Sequence, residues 1–389
     1  MVEKQMKSRL IALLLVLSLA AGCSAAPSQS DTSVPQEAYT PSYTYVNPDP
    51  DMVMVTSPGG DITYENYRLY LDVSEQMNRM TARQNMAVCA ALEKDFAGMG
   101  IEVKEEDFQA MASQQLLNAM LYTPSFTESL QQIGDATGMA QEQVTDAMML
   151  SFRSQYLVQL LGDHYQTLAA EELDKEAAAS ETASSETASS EAASSEPDGE
   201  AAQAAREQAV YEGAMEMMQN YSADYETRLT FEDDSALVTI DGEAVPYTEE
   251  VGRYIDYAGM ANRIDAVAFI QVGELALREL ERRGAELDRT DFEATLEDYI
   301  SHIRSDEQAM QQIEKACGGF GATPDDYFKA LERPLWLQEV GDRYYIAMTE
   351  EYNALTVDSG EKADSADSYY VQELSKLVEG SDIVNVTGK

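Results

Sequence analysis

A chain of 389 residues with a formal net charge of −44 repels a phosphate backbone, which excludes nucleic acid as its main partner. Hydrophobic residues at 44% are enough for one or two cores. Three cysteines and two unclustered histidines exclude a disulfide scaffold or a zinc module, and neither a cofactor nor a metal is expected.

Lys4, Lys7 and Arg9 precede an apolar run from Leu10 to Ala21, which is too short to span a bilayer comfortably. It reads as a signal peptide, residues 1–22. The run ends in Leu19-Ala20-Ala21-Gly22-Cys23, which resembles a bacterial lipobox. The resemblance implies lipidation at Cys23 and a chain anchored to the extracytoplasmic face of the cell membrane. Residues 23–51, rich in Ser, Pro, Thr and Tyr, read as a disordered tether.

From there the chain repeats itself. Tyr70-Leu71-Asp72 returns as Tyr254-Ile255-Asp256, and Gly100 with Asp107-Phe108 returns as Gly284 with Asp291-Phe292, at an offset of 184. Gln131-Gln132-Ile133 returns as Gln311-Gln312-Ile313 at 180, and Leu161-Gly162-Asp163 as Val340-Gly341-Asp342 at 179. A drifting offset marks one folding unit used twice, with small loop deletions. Each copy opens on a strand-like run and a turn: Met52 to Val55 before Pro58-Gly59-Gly60, and Leu237 to Ile240 before Asp241-Gly242. Asp-Gly between apolar runs is a strong hairpin signal, because both turn positions favour positive φ.

Helices follow in both copies. Val144, Met148, Phe152 and Tyr156 recur every four residues and predict one helix over about 140–170. Its counterpart runs from about Pro324 to Tyr352, with Thr323 as N-cap, Pro324 at the first position and a kink at Pro334. Between the copies, Glu-(Thr/Ala)-Ala-Ser-Ser repeats three times from Glu181 to Ser195, a composition expected to stay extended and solvated. Closing helices are expected in both copies, the second leading to a short strand at Asp382 to Val386 that adds to the hairpin of its own unit.

The expected organisation is therefore helical module 1 over 52–170, an acidic Ser/Glu/Ala linker over 171–202 and the closing helix of module 1 over 203–230. Helical module 2 follows over 231–354, an acidic loop over 355–367, and a closing helix with C-terminal strand over 368–389. The fold class is mainly α, two helical modules each with a small β-hairpin, joined by an acidic disordered linker.

The order hairpin, Tyr- and Glu-bearing helix start, Gly100-Ile101-Glu102-Val103, then Gly138 to Leu161 resembles the N-terminal helical domain of the SurA/PrsA family of extracytoplasmic folding factors. Copy two carries the same order through Val238 to Glu250, Gly284 to Phe292 and Gly321 to Val340. The resemblance implies chaperone-like binding of unfolded or partly folded secreted proteins. A parvulin-type prolyl isomerase domain would fall where the acidic linkers lie, and neither has the strands or histidines for one, so isomerase activity is disfavoured and no catalysis is expected.

Gly318-Gly319-Phe320-Gly321 reads as a helix stop, His164 and His302 have no catalytic neighbours, and Cys89 and Cys317 read as buried free thiols. Nineteen methionines supply adaptable apolar surface as well as core. The candidate client-binding residues are Met148, Met149, Phe152, Tyr156, Tyr327, Leu331 and Trp336. The expected function is a membrane-anchored holdase for non-native secreted polypeptides. The alternative is a structural or adaptor lipoprotein that docks one envelope partner.

Overall fold

The computed structural model describes residues 51–57, 60–122, 126–185, 199–231, 235–355, 365–379 and 382–383. The signal run, Cys23 and the tether up to residue 50 lie outside the described residues, as do 186–198 of the linker and 356–364 of the acidic loop. The protein is mainly helical with two small antiparallel sheets.

Strands β1 (Val53–Ser57) and β2 (Gly60–Thr63) form the first hairpin, followed by a single turn of 3-10 helix and the long helix α1 (Arg68–Met99). Helices α2 (Glu105–Tyr122), α3 (Phe126–Thr137), α4 (Gln141–Leu150) and α5 (Arg153–Ser185) follow, then α6 (Gly199–Arg228) and the short strand β3 (Leu229–Thr230). The second hairpin, β4 (Ala236–Ile240) and β5 (Glu243–Pro246), leads into α7 (Glu249–Arg282). Helices α8 (Thr290–Ser305), α9 (Glu307–Gly318), α10 (Pro324–Ala354) and α11 (Ala366–Glu379) complete the chain with β6 (Asp382–Ile383).

Local signals act as the sequence dictates. Asp241 and Gly242 take φ of 54° and 82°, as a two-residue hairpin turn requires. Thr323 caps α10: its hydroxyl accepts from the Asp326 amide at 3.3 Å, and the Asp326 carboxylate accepts from the Thr323 amide at 3.0 Å. Helix α10 runs through Pro334 without interruption, and α9 stops at Gly318. Cys89 and Cys317 are buried and form no disulfide with each other.

Two helical expectations change. The helix expected over 140–170 is broken at Ser151 and Phe152, whose amides bond three residues back to Met148 and Met149 at 2.7 and 3.1 Å. The break seats Arg153, 3% exposed, against Glu93 and Glu105 at 2.9 and 2.7 Å. The linker expected to be extended from residue 171 is helical to Ser185, and α6 begins at Gly199 rather than 203. Ala and Glu are strong helix formers, and an anchored helix propagates through them without the cost of a new nucleus.

The largest departure concerns which parts share a core. One core joins the first hairpin and the start of α1 (Met54, Val55, Ile62, Tyr64, Leu71) to the later half of α7 and to α8, α9 and α10 (Ile270, Phe292, Cys317, Leu337, Tyr344). The other joins the second hairpin and the start of α7 (Leu237, Val238, Ile240, Tyr254, Ile255) to the later half of α1 and to α2 and α5 (Leu92, Phe96, Phe108, Leu157). Each hairpin is thus seated among the helices of the opposite half. An isolated two-stranded hairpin is marginal in water, so each depends on the half that is distant from it in sequence. The strands follow the same rule. β6 does not add to the second hairpin as expected; it pairs with β1, Val55 opposite Ile383, while β3 pairs with β4.

Among the described residues, helices α1 and α7 make the most extensive helix–helix contact, and they run antiparallel, with Arg79 beside Asp256 and Asp72 beside Arg263. Arg83 of α1 donates to the carbonyls of Ala236 and Leu237 at 2.8 and 2.9 Å, and Gln271 of α7 donates to that of Met54 at 2.8 Å. Each long helix therefore holds a strand of the other half's hairpin. At the crossing lies a buried ionic cluster. Arg79 pairs with Asp256, and Arg263 pairs with Asp72 at 3.3 Å; the two arginines are 184 residues apart, as are the two aspartates. Glu75 lies between, 3.1 Å from Arg79 and 2.7 Å from Arg263. Reciprocal pairing of this kind is what a two-fold interface produces.

Candidate functional site

The seven residues expected to line an adaptable cleft are distributed among the cores. Tyr327, Leu331 and Trp336 belong to the first core, where the Trp336 ring meets that of Phe292 edge-on at 5.1 Å. Tyr156 belongs to the second and donates its hydroxyl to the Lys104 carbonyl at 3.0 Å. Met148 packs in a third, small core with Leu130, Ile133, Val144, Met260 and Ile264. Met149 and Phe152 are half-buried beside these cores. Five of the seven are thus at most 9% exposed and offer a client no surface, because a helical stripe reports burial without saying against what.

Among the described residues, Tyr211 and Met215 on α6 and Ile346 and Val371 on α10 and α11 expose apolar surface, and three further surfaces stand out. The first is the outer face of α2, where Leu117 and Met120, three residues apart and so on one face, are 49% and 53% exposed. Leu116, Ala119 and Phe126 beside them are partly buried against the third core. Nothing in the helical periodicity singles out Leu117 and Met120, but the internal repeat does: at an offset of 184 their counterparts are Ser301 and Arg304.

The second surface is a crevice of about 160 Å³ between α2, α4 and α7, lined by Gln109, Gln143, Asp146, Met149, Glu250 and Arg253. Burial raises the carboxyl pKa of Asp146, and Glu142 adds to the rise. Burial also raises Glu250, with Arg253 opposing. The third is an open groove of about 520 Å³ on α8 and α10, with Leu296 and Ile300 as its apolar floor and Glu293, Glu297 and Glu332 around them. Arg304 at its end is engaged by Asp325 at 2.7 Å.

Chemically, these surfaces offer apolar contact with acidic surroundings. Among the described residues no three His, Cys, Asp or Glu side chains are grouped to hold a metal ion, and no helix is long and apolar enough to cross a membrane. Comparison of the chain with known families, with curated proteins and with solved structures finds no match.

Proposed function

We propose that the chain is a membrane-anchored extracytoplasmic chaperone of the holdase type, binding non-native secreted polypeptides without covalent chemistry. In this reading it consists of two SurA N-terminal-like helical units, 52–230 and 231–389, with the lipid on Cys23 as its anchor. The observation that carries the reading is the apolar outer face of α2, Leu117 and Met120, presented by a chain of net charge −44. Apolar side chains half exposed on a helix face offer an unfolded client the same burial that a core would, about 25 cal/mol per Å². The surrounding charge keeps the loaded complex soluble and favours cation-bearing clients. Methionine adapts its shape to many partners, as a general holdase requires.

The test is light scattering of a chemically unfolded secreted protein diluted with and without the chain. The expected result is suppression near equimolar ratio, lost in the Leu117→Asp/Met120→Asp double variant, whose thermal melt stays unchanged because both side chains face solvent. Suppression of equal strength in that variant would remove the α2 face from the reading. No suppression by the unaltered chain, with one stoichiometric partner captured instead, would favour the adaptor.

A further inference from the structure

We propose that the surface each half presents to the other is also a docking surface for a second copy of the chain, through exchange of halves between two molecules. Four observations carry it. The two hairpins sit in the opposite half's core, and the first sheet is completed by exchange as well: β6, from the C-terminal half, pairs with β1. The crossing of α1 and α7 is self-complementary, with Arg79 on Asp256 mirrored by Arg263 on Asp72. The halves are joined between Ser185 and Gly199 by thirteen residues, which when extended reach about 45 Å. Finally, α6 packs on α5 across that junction, so the C-terminal unit, 199–383, grips the N-terminal unit, 51–185, at both ends.

Two chains that exchange these units rebuild every contact of the closed monomer twice. The contact energies of the closed and exchanged forms are then equal. Their balance is set by the effective concentration of one unit at the other within a chain, on the order of 1 mM for a short connection. Below that concentration the chain closes on itself; near it, exchanged pairs accumulate. Because exchange requires the α1–α7 and α5–α6 contacts and the β1–β6 pairing to open, a closed monomer is kinetically locked, and partner choice is made during folding.

Two full-length chains test this, both carrying Cys23→Ser, one with Thr56→Cys and the other with Asp382→Cys. Thr56 and Asp382 face each other across β1 and β6, and Thr56 is exposed. Neither chain holds both thiols, so a mixed disulfide at this pair forms only if β1 of one molecule takes β6 of the other. Chains folded separately and then mixed are expected to give none. Chains unfolded together and refolded at ~10 µM are expected to give about 1% mixed disulfide, rising steeply, to tens of per cent, near ~1 mM. A chain carrying both substitutions is the control and is expected to close internally at low concentration. Absence of the mixed disulfide at every concentration, while that control closes, would overturn the proposal. So would an equal yield between two chains that both carry Thr56→Cys, since that reports random collision.

Discussion

The two arginines at the α1–α7 crossing occupy equivalent positions, and their surroundings differ. Arg263 is enclosed: it reaches Asp72 and Glu75, its guanidinium lies 5.4 Å from the ring centre of Tyr64, and it donates to the Tyr64 hydroxyl, which in turn donates to Asp72 at 2.8 Å. Arg79 is held by Glu75 and by Asp256, a carboxylate that keeps 23% of its surface in solvent, and it lies against Gly259. Glu75 and Gly259 are themselves equivalent, 184 residues apart. One copy supplies a carboxylate that serves both arginines, and the other supplies the space for one of them. Asp72 and Asp256 already match the two arginines in charge, so Glu75 leaves the cluster one negative in excess, and a second carboxylate at position 259 would leave it two. The carboxylate on one helix and the glycine on the other thus act as a matched pair, which ties the halves to each other more tightly than two self-sufficient modules would be.

The largest effect is expected at the shared group. Glu75→Gln keeps the shape of the side chain and removes the charge that both buried arginines use. Removing one partner of a buried ion pair typically costs about 3–5 kcal/mol. Chemical denaturation followed by far-UV circular dichroism should show a loss of that order in one cooperative transition, since both cores meet at this point. A loss under about 1 kcal/mol would mean that the aspartates alone balance the arginines. Gly259→Ala should cost less. A Cβ there would sit 2.7 Å from Cγ and Nε of Arg79, whose head group is already fixed by two carboxylates. In an exposed helix the same change gains about 1 kcal/mol. Here a net loss of about 1–3 kcal/mol is expected from overpacking, and a stabilised variant would show that Arg79 is free to move aside.

The contrast between the crossing and the rest of the fold also separates what the sequence discloses from what it conceals. The Asp241-Gly242 turn, the Thr323 cap and the offset of 184 are local or repetitive features, and each can be read from neighbouring residues alone. Arg79, Arg263, Asp72 and Asp256 stand at matching places in the repeat, yet nothing local says that each pairs across the halves. A hydrophobic stripe marks burial without naming the partner, so sequence alone leaves each module with its own hairpin and β6 with the second, whereas β6 pairs with β1. Met148, Tyr156, Tyr327 and Leu331 lie on such stripes and are core. Leu117 and Met120 lie outside any stripe, and only their mismatch with Ser301 and Arg304 distinguishes them.

The smallest expected effect, and the one most specific to the enclosed end, is at Asp72. Its burial pushes the carboxyl up to about 6 from the ordinary 3.8, although Arg263 opposes the rise. A carboxyl whose pKa is higher folded than unfolded binds protons more tightly in the folded state. Its protonation therefore stabilises the fold fully below about 3.8, and that contribution fades as pH rises through about 6. At 1.36 kcal/mol per pH unit, the whole swing is no more than about 3 kcal/mol. Asp72→Asn removes the titration, so the stability of the unaltered chain minus that of the variant should fall as pH goes from 4 to 7. Other groups, such as Glu279, which its hydrogen bonds from Arg282 hold down at about 2, contribute equally to both proteins and cancel in the difference. Urea denaturation of the pair at pH 4, 5, 6 and 7 measures it. A difference that grows with pH would mean that the charge on Asp72 is held by Arg263 more strongly than burial opposes it, and that the enclosed end is fastened by its ion pair as the open end is.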